Sequence, residues 1–348
     1  MSFPESISLT ITNHCNLRCQ MCGQWSQEGY IRNNLESLKK EMSLADWKRV
    51  VDELAGHGTK ALLLRGGEVF MFPGIIELME YIHAKGMFIS IDTNGTMLAQ
   101  FAEDIARIGS MHLTISVDGT EPVHDAVRGI PGTFQRIKEG VARLSEQEQR
   151  VGNKISRSIC FTISQFNYRS LGSMPDVARE LGFGTIAIVP YYYFSADVGQ
   201  RYSKELQRLG CSAFSWIGFH HEESGVDFEE FRRQYHQYLA TLGSIYNYPY
   251  MPLDEEQYRD WFSDSIIQVG YSYCLNIEKL IDIQPDGSAN FCVDFIDYSF
   301  GNVRTHSIEA IWNGEKAESF RKYRREHALA VCYRCGAKYM SQEWSKYG

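Results

Sequence analysis

Two hydrophobic periods take turns along the first half of the chain. Ile7, Leu9 and Ile11 alternate with Ser8 and Thr10, the period-two pattern of a half-buried strand. Leu44, Trp47, Val50, Val51 and Leu54 then recur at helical spacing behind Ser43, a good N-cap, until Gly56 and Gly58 stop them. The run Ala61-Leu62-Leu63-Leu64 reads as a buried strand. A helix follows from about Pro73, suited to a first turn, to His83. The same reading gives strands over 87–92, 111–117, 155–163 and 185–189, with helices over 98–108, 134–144 and 171–181. Six strand–helix alternations predict an α/β fold, a partial (β/α)6 TIM-like barrel with parallel strands and right-handed crossovers.

The pattern changes after residue 190. Residues 191–272 form a helical insertion crowded with Tyr, Trp and His, with helices expected over 227–242 and 254–266. Its aromatics suit a satellite core, or a lid over the barrel mouth, where insertions commonly carry specificity. From 273 to 348 a small C-terminal domain is expected, built on a β-hairpin. Two alternating stretches flank Pro285-Asp286-Gly287, a strong turn signal. Residues 1–190 are the barrel.

The formal net charge of −8 and the lack of basic runs argue against nucleic acid or an anionic membrane surface as the partner. No stretch is long and apolar enough to span a bilayer, and no signal-peptide pattern opens the chain. Nine cysteines without such a leader suit a reducing compartment, the cytoplasm, where metal ligation explains them better than disulfides.

Three cysteines stand in eight residues directly after the first strand: Cys15, Cys19 and Cys22. They cannot all pair with one another, but they can converge on an iron–sulfur cube and leave one iron open. A structural zinc site wants a fourth ligand, and none is obvious beside them, His14 being badly placed. Four more, Cys274, Cys292, Cys332 and Cys335, stand late in the chain. The hairpin brings the first two to one end, and Cys332-Tyr333-Arg334-Cys335 is a knuckle. Four thiolates fit one auxiliary cluster or one zinc. Cys160 and Cys211 remain and suit small buried hydrophobes. His220-His221 with Glu222-Glu223 lacks the spacing of a metal site.

With this spacing the chain resembles the radical S-adenosylmethionine (SAM) superfamily. Its later run Gly301-Asn302-Val303, Ile308 to Asn313 and the Cys332/Cys335 pair resembles the SPASM and twitch C-terminal extensions. Four late cysteines match the single-cluster form, as in the aminocyclitol dehydrogenase of butirosin synthesis. The resemblance implies two [4Fe-4S] clusters and S-adenosylmethionine as cofactors. It also gives roles to residues after the strand ends, where barrel chemistry sits. Gly66, Gly67 and Glu68 would hold the methionyl amino group, and Asn94, Ser116 and Asp118 would border the cofactor. Arg128, in the run His124-Asp125-Ala126-Val127-Arg128, would meet the methionyl carboxylate, unless that run only caps the helix starting near Thr133. Met21 stands where relatives often carry an aromatic residue and can still pack on adenine.

The implied reaction is reductive cleavage of the cofactor to a 5′-deoxyadenosyl radical, which takes a hydrogen atom from the substrate. The expected outcome is oxidation of a small molecule such as a sugar or aminocyclitol. The alternatives are maturation of a ribosomally made peptide, or epimerisation with Cys160 as hydrogen donor, Cys160 sharing a strand side with Ser158 and Thr162. The first strand starts within ten residues of Met1, leaving no room for a leader-binding domain, which favours the small molecule. Flavodoxin or ferredoxin is the expected electron donor.

Overall fold

The computed structural model describes residues 3–339. Its strands form one ten-stranded sheet. In chain order they are β1 (Ser6–Thr12), β2 (Ala61–Gly66), β3 (Phe88–Thr93), β4 (Met111–Ser116), β5 (Ser156–Ile163), β6 (Thr185–Pro190), β7 (Tyr246–Tyr248), β8 (Leu280–Ile283), β9 (Ser288–Asn290) and β10 (Gly301–Asn302). The spatial order is β10-β9-β8-β1-β2-β3-β4-β5-β6-β7. Strands β8, β1 and then β2 to β7 run parallel, while β9 turns back antiparallel. The six expected strands are thus extended at both edges. The insertion adds β7, and the C-terminal hairpin docks on β1 instead of standing apart.

Helices α1 (Leu44–Gly56), α2 (Ile75–Ala84), α3 (Leu98–Ile108), α4 (Glu121–Arg128), α5 (Thr133–Val151) and α6 (Met174–Leu181) connect the barrel strands. Ser43 and Asp46 form a reciprocal capping box on α1. Pro73 lies outside α2, whose N-cap is Gly74 in the left-handed region. The segment expected to cap the helix near Thr133 divides its labour. Residues 121–128 are themselves a helix, and only Asp125 caps α5, accepting from Thr133 Oγ1 at 2.6 Å and the Phe134 amide at 2.9 Å. Residues 171–173, expected to open α6, belong instead to a 3₁₀ turn over Tyr168–Ser173.

The insertion contributes α7 (Ala196–Arg208), α8 (Phe228–Thr241) and α9 (Glu255–Ser263); α10 (Asn276–Lys279), α11 (Ile308–Trp312) and α12 (Glu315–Glu326) follow. Sequence periodicity missed α7, which is mostly polar, and β7, only three residues long. The insertion's aromatics are no satellite: Tyr193, Tyr202, Tyr238 and Trp261 belong to the same buried cluster as the barrel strands. Asp297 joins the insertion to the C-terminal segment, accepting from Tyr202 Oη at 2.8 Å and from the amides of Phe214 and Ser215. Arg334 does the same from the other side, donating to the carbonyls of Asp260, Trp261, Asp264 and Ile267.

Candidate active site: two cysteine centres beside one lumen

Barrel strands alternate in a fixed sense. Most of their apolar side chains are buried in the core, while short polar ones, together with Leu63, Phe88 and Val189, face a cavity of about 950 Å³. Ser90 and Asp92 on β3, Thr114 and Ser116 on β4, and Ser158, Cys160 and Thr162 on β5 all line it. A closed TIM barrel fills this space with branched side chains; here small hydroxyls leave it open. From the insertion come Tyr192, Phe219, Tyr248 and Tyr250, so that segment walls the cavity as a lid would.

At the C-terminal ends of the strands lies the first cysteine loop. Each of its sulfurs accepts an N–H: Cys15 from the Leu17 amide at 3.5 Å, Cys22 from the Trp25 amide at 3.3 Å, Cys19 from Arg128 Nη1 at 3.6 Å. Burial pushes the Cys15 thiol up to about 12 and the Cys19 thiol to about 11. Such thiols ionise here only against strong positive charge, as bound iron supplies. His14 is exposed and adds no fourth ligand.

Gly66 and Gly67 are glycines because of this loop. Gly66 has φ +157°, and a Cβ there would lie 2.3 Å from the Thr12 carbonyl oxygen; one on Gly67 would lie 2.4 Å from that of His14. The close approach lets the amides of Gly67 and Glu68 bond Thr12 O and His14 O, both at 2.8 Å. Glu68, fully buried, accepts from Thr93 Oγ1 at 2.7 Å and from the amides of Asn94 at 2.8 Å and Phe70 at 3.2 Å. Asn94 Nδ2 in turn reaches Asn16 Oδ1 at 2.9 Å. These residues therefore fasten the ends of β1, β2 and β3 together beneath the cysteines. Gly66, Met21 and Ser116 also border the cavity.

Asp118 and Arg128, given separate cofactor contacts from the sequence, pair with each other at 2.6 Å, both buried. Burial works against the Arg128 charge, but the Asp118 carboxylate and the Cys19 sulfur outweigh it and hold the guanidinium protonated. Arg128 Nε has no partner. The carbonyls of Val127 and Arg128 bond the amides of Gln20 and Arg18, so the end of α4 carries the cysteine loop.

Cys274, Cys292, Cys332 and Cys335 line a second, smaller cavity together. Burial raises the thiols of Cys274, Cys292 and Cys335, with mutual repulsion adding to it. Among the described residues no three His, Cys, Asp or Glu side chains converge as one metal ion requires. Thiolates around a cube each meet a different iron, so their sulfurs stand wider apart than ligands sharing one zinc. Cys211 is half-buried and lines neither cavity. His220 pairs with Glu222 at 3.0 Å, and no metal geometry forms there.

The iron–sulfur cluster-binding SPASM model matches residues 274–336, and the radical SAM model matches 9–162. The chain belongs to the radical SAM superfamily and carries a SPASM domain. Radical SAM enzymes of this kind use [4Fe-4S] clusters and S-adenosylmethionine, which both cysteine centres fit. Among curated relatives, Fe-coproporphyrin III synthase of Methanosarcina barkeri is 28% identical over 87% of this chain and 72% of its own. AdoMet-dependent heme synthase of the same organism is 25% identical over 94% of this chain and 86% of its own. The sporulation killing factor maturation protein SkfB of Bacillus subtilis is 31% identical, but over 51% of this chain and 40% of its own. In fold, the chain resembles SuiB of Streptococcus suis bound to the precursor peptide SuiA, with a TM-score of 0.63 and 14% identity over 97% of this chain and 72% of that one. It also resembles anSMEcpe with bound AdoMet, with a TM-score of 0.61 and 15% identity over 98% and 97% of the two chains. No helix among the described residues is long and apolar enough to cross a membrane.

Several residues of the site gave no motif signal. Arg65 on β2 pairs with Asp294 at 2.9 Å across the lumen, with Asp282 and Asp92 near enough to add to its field. Burial would lower the Arg65 charge, but these three carboxylates outweigh it. Asp294 stands two residues after Cys292, the one hint its sequence position offered.

Proposed function

We propose that this radical SAM enzyme oxidises a small, hydroxyl- or amine-bearing molecule held in the lumen between its two cysteine centres. The observation that carries this is the continuity of one cavity. It runs from Met21, Gly66 and Ser116 beside the first centre to Val293, Asp294 and Ala337, neighbours in sequence of Cys292 and Cys335. A substrate in it lies between a hydrogen-atom acceptor and an electron acceptor.

Bound S-adenosylmethionine and the clusters supply radical formation and electron transfer. The chain's own residues do the rest. Cys15, Cys19 and Cys22 hold the first cluster, and the late four hold the second. Gly66, Gly67, Glu68, Asn94, Ser116 and Asp118 shape the cofactor's bed. Arg128 Nε is the donor left over for its carboxylate. The lid aromatics Tyr192, Phe219 and Tyr250 keep water off the lumen.

The lining favours a polar neutral or cationic substrate. Among the described lining residues Arg65 is the one guanidinium and is already paired with Asp294, while Asp92 lies at the wall with a hydrogen bond to Thr114. A substrate bearing several carboxylates, as a coproporphyrin does, would find no unpaired guanidinium or ammonium among the described lining residues. The peptide-maturing relative SkfB shares only half of this chain, whereas the heme-synthase relatives share nearly all of it. A low-potential donor such as flavodoxin or ferredoxin would reduce the first cluster.

Epimerisation is a second reading, favoured by Cys160. Its sulfur lines the lumen, and burial pushes the thiol to about 12, so it keeps its hydrogen. The test is turnover in heavy water, starting from 5′-deoxyadenosine formation stimulated by amino-polyols. Oxidation gives a product two mass units lighter with no deuterium on carbon. A mass-conserved, deuterated product points to Cys160 instead, and stimulation by peptides alone overturns the small-molecule reading.

A further inference from the structure

The two cysteine centres differ in the charge set against their sulfurs. At the first, the Arg128 guanidinium lies 3.6 Å from Cys19 but is neutralised by Asp118 at 2.6 Å. At the second, Arg324 Nη2 donates to Cys332 Sγ at 3.1 Å, and its Nη1 donates to the His327 carbonyl. Arg324 is 8% exposed, and no carboxylate forms an ion pair with it among the described residues. A second buried basic side chain meets the same cysteines. Lys338, 3% exposed, donates to the carbonyls of Val269 at 2.6 Å and Cys332 at 3.5 Å, and its charge acts on Cys335, Cys332 and Cys274. The one carboxylate whose field reaches Cys335, Asp294, is itself paired with Arg65.

We propose that Arg324 and Lys338 raise the reduction potential of a cluster held at the second centre, an inference about these two side chains that rests on the oxidative reading above. Net charge and hydrogen bonds to sulfur are two levers on cluster potential. An uncompensated buried cation favours whichever state carries one more electron. A neutral ion pair, as at the first centre, favours neither. The asymmetry therefore sets the direction of flow. In the oxidative reading the substrate would lose a hydrogen atom, then one electron to a cluster held by the late four cysteines and one proton to solvent, and the two cations beside those sulfurs would favour that electron's arrival. Arg324 and Lys338 are positioning residues in this scheme, since neither lines the lumen.

The test is an anaerobic redox titration followed by electron paramagnetic resonance. Full-length protein with Cys15, Cys19 and Cys22 replaced by Ala shows the auxiliary signal alone. On that background Arg324→Met and Lys338→Met should each shift the one-electron equilibrium about tenfold toward the oxidised state, which is about 59 mV. Arg324→Lys, which keeps the charge, should stay nearer the parent. Unchanged midpoints in both Met variants overturn the proposal. If Arg324→Met fails to assemble a cluster, Lys338→Met decides alone. The midpoint is read without substrate, so a failure of the tuning is distinguishable from a failure of the oxidative reading, which product mass reports.

Discussion

Replacing Asp118 by Asn keeps the side chain's shape and removes its charge. Asp118 is fully buried and Arg128 8% exposed, so the guanidinium left behind is desolvated and uncompensated 3.6 Å from Cys19. Breaking a buried pair from one side typically costs about 3–5 kcal/mol, most of it the stranded charge. Removing both charges together, in Asp118→Asn with Arg128→Met, avoids that penalty. The double variant should therefore recover all but about 1–2 kcal/mol of the loss. The assay is urea unfolding of the iron-free chain under reducing anaerobic conditions, followed by tryptophan fluorescence. Because α4 carries the cysteine loop through the carbonyls of Val127 and Arg128, the single variant should also lose iron faster to a chelator. A single variant within 1 kcal/mol of the parent, or a double variant no better than the single, refutes the reasoning.

Replacing Cys15, Cys19 and Cys22 by Ala should leave about half of the reconstituted iron and abolish cleavage of S-adenosylmethionine, as iron assay and chromatography would show. Gly67→Ala forces a Cβ to 2.4 Å from the His14 carbonyl, so the first cluster should assemble poorly while the auxiliary signal persists in the resonance spectrum. Asp282, fully buried with Thr10 and Gln284 as partners, has its carboxyl raised to about 6 by burial, with Arg65 opposing. A raised acid binds its proton more tightly folded than unfolded. Its contribution is present at pH 4 and lost as pH rises through 6. Asp282→Asn should accordingly remove a fall of about 2–3 kcal/mol in urea stability between pH 4 and 7. An unchanged pH profile would show that another group causes the slope.

Local signals carried well. Alternation located β1, a continuous apolar run located β2, and α3 runs over the residues its spacing predicts. The cysteine sets stood out by their spacing, and Gly66-Gly67-Glu68 stood out only because it follows a strand and the first cysteine loop. What stayed hidden was set by partners distant in sequence. Nothing in Leu280–Ile283 says that it will pair with β1, some 270 residues earlier. The carboxylate of Asp118 and the guanidinium of Arg128 each looked ready for a ligand, since a sequence does not show that two opposite charges ten residues apart meet. Arg65, Arg324 and Lys338 were invisible for the same reason: a basic residue in a strand or helix reads as solvated until the wall around it is known.

The parallel pairing of β8 with β1 has a consequence for how the chain is made. All seven residues of β1 are buried, and in the finished sheet it has a neighbour on each side. During synthesis only β2 is available to it, because residues 280–283 leave the ribosome last among its partners. Until then an apolar strand with an open edge, ending in three reactive thiols, waits in the nascent chain. Such edges are where misassembly starts. Closure of the second edge of β1 thus waits for the last fifth of the chain. A ribosome stalled, or a message truncated, before residue 280 would yield a barrel that aggregates rather than one that holds a single working cluster.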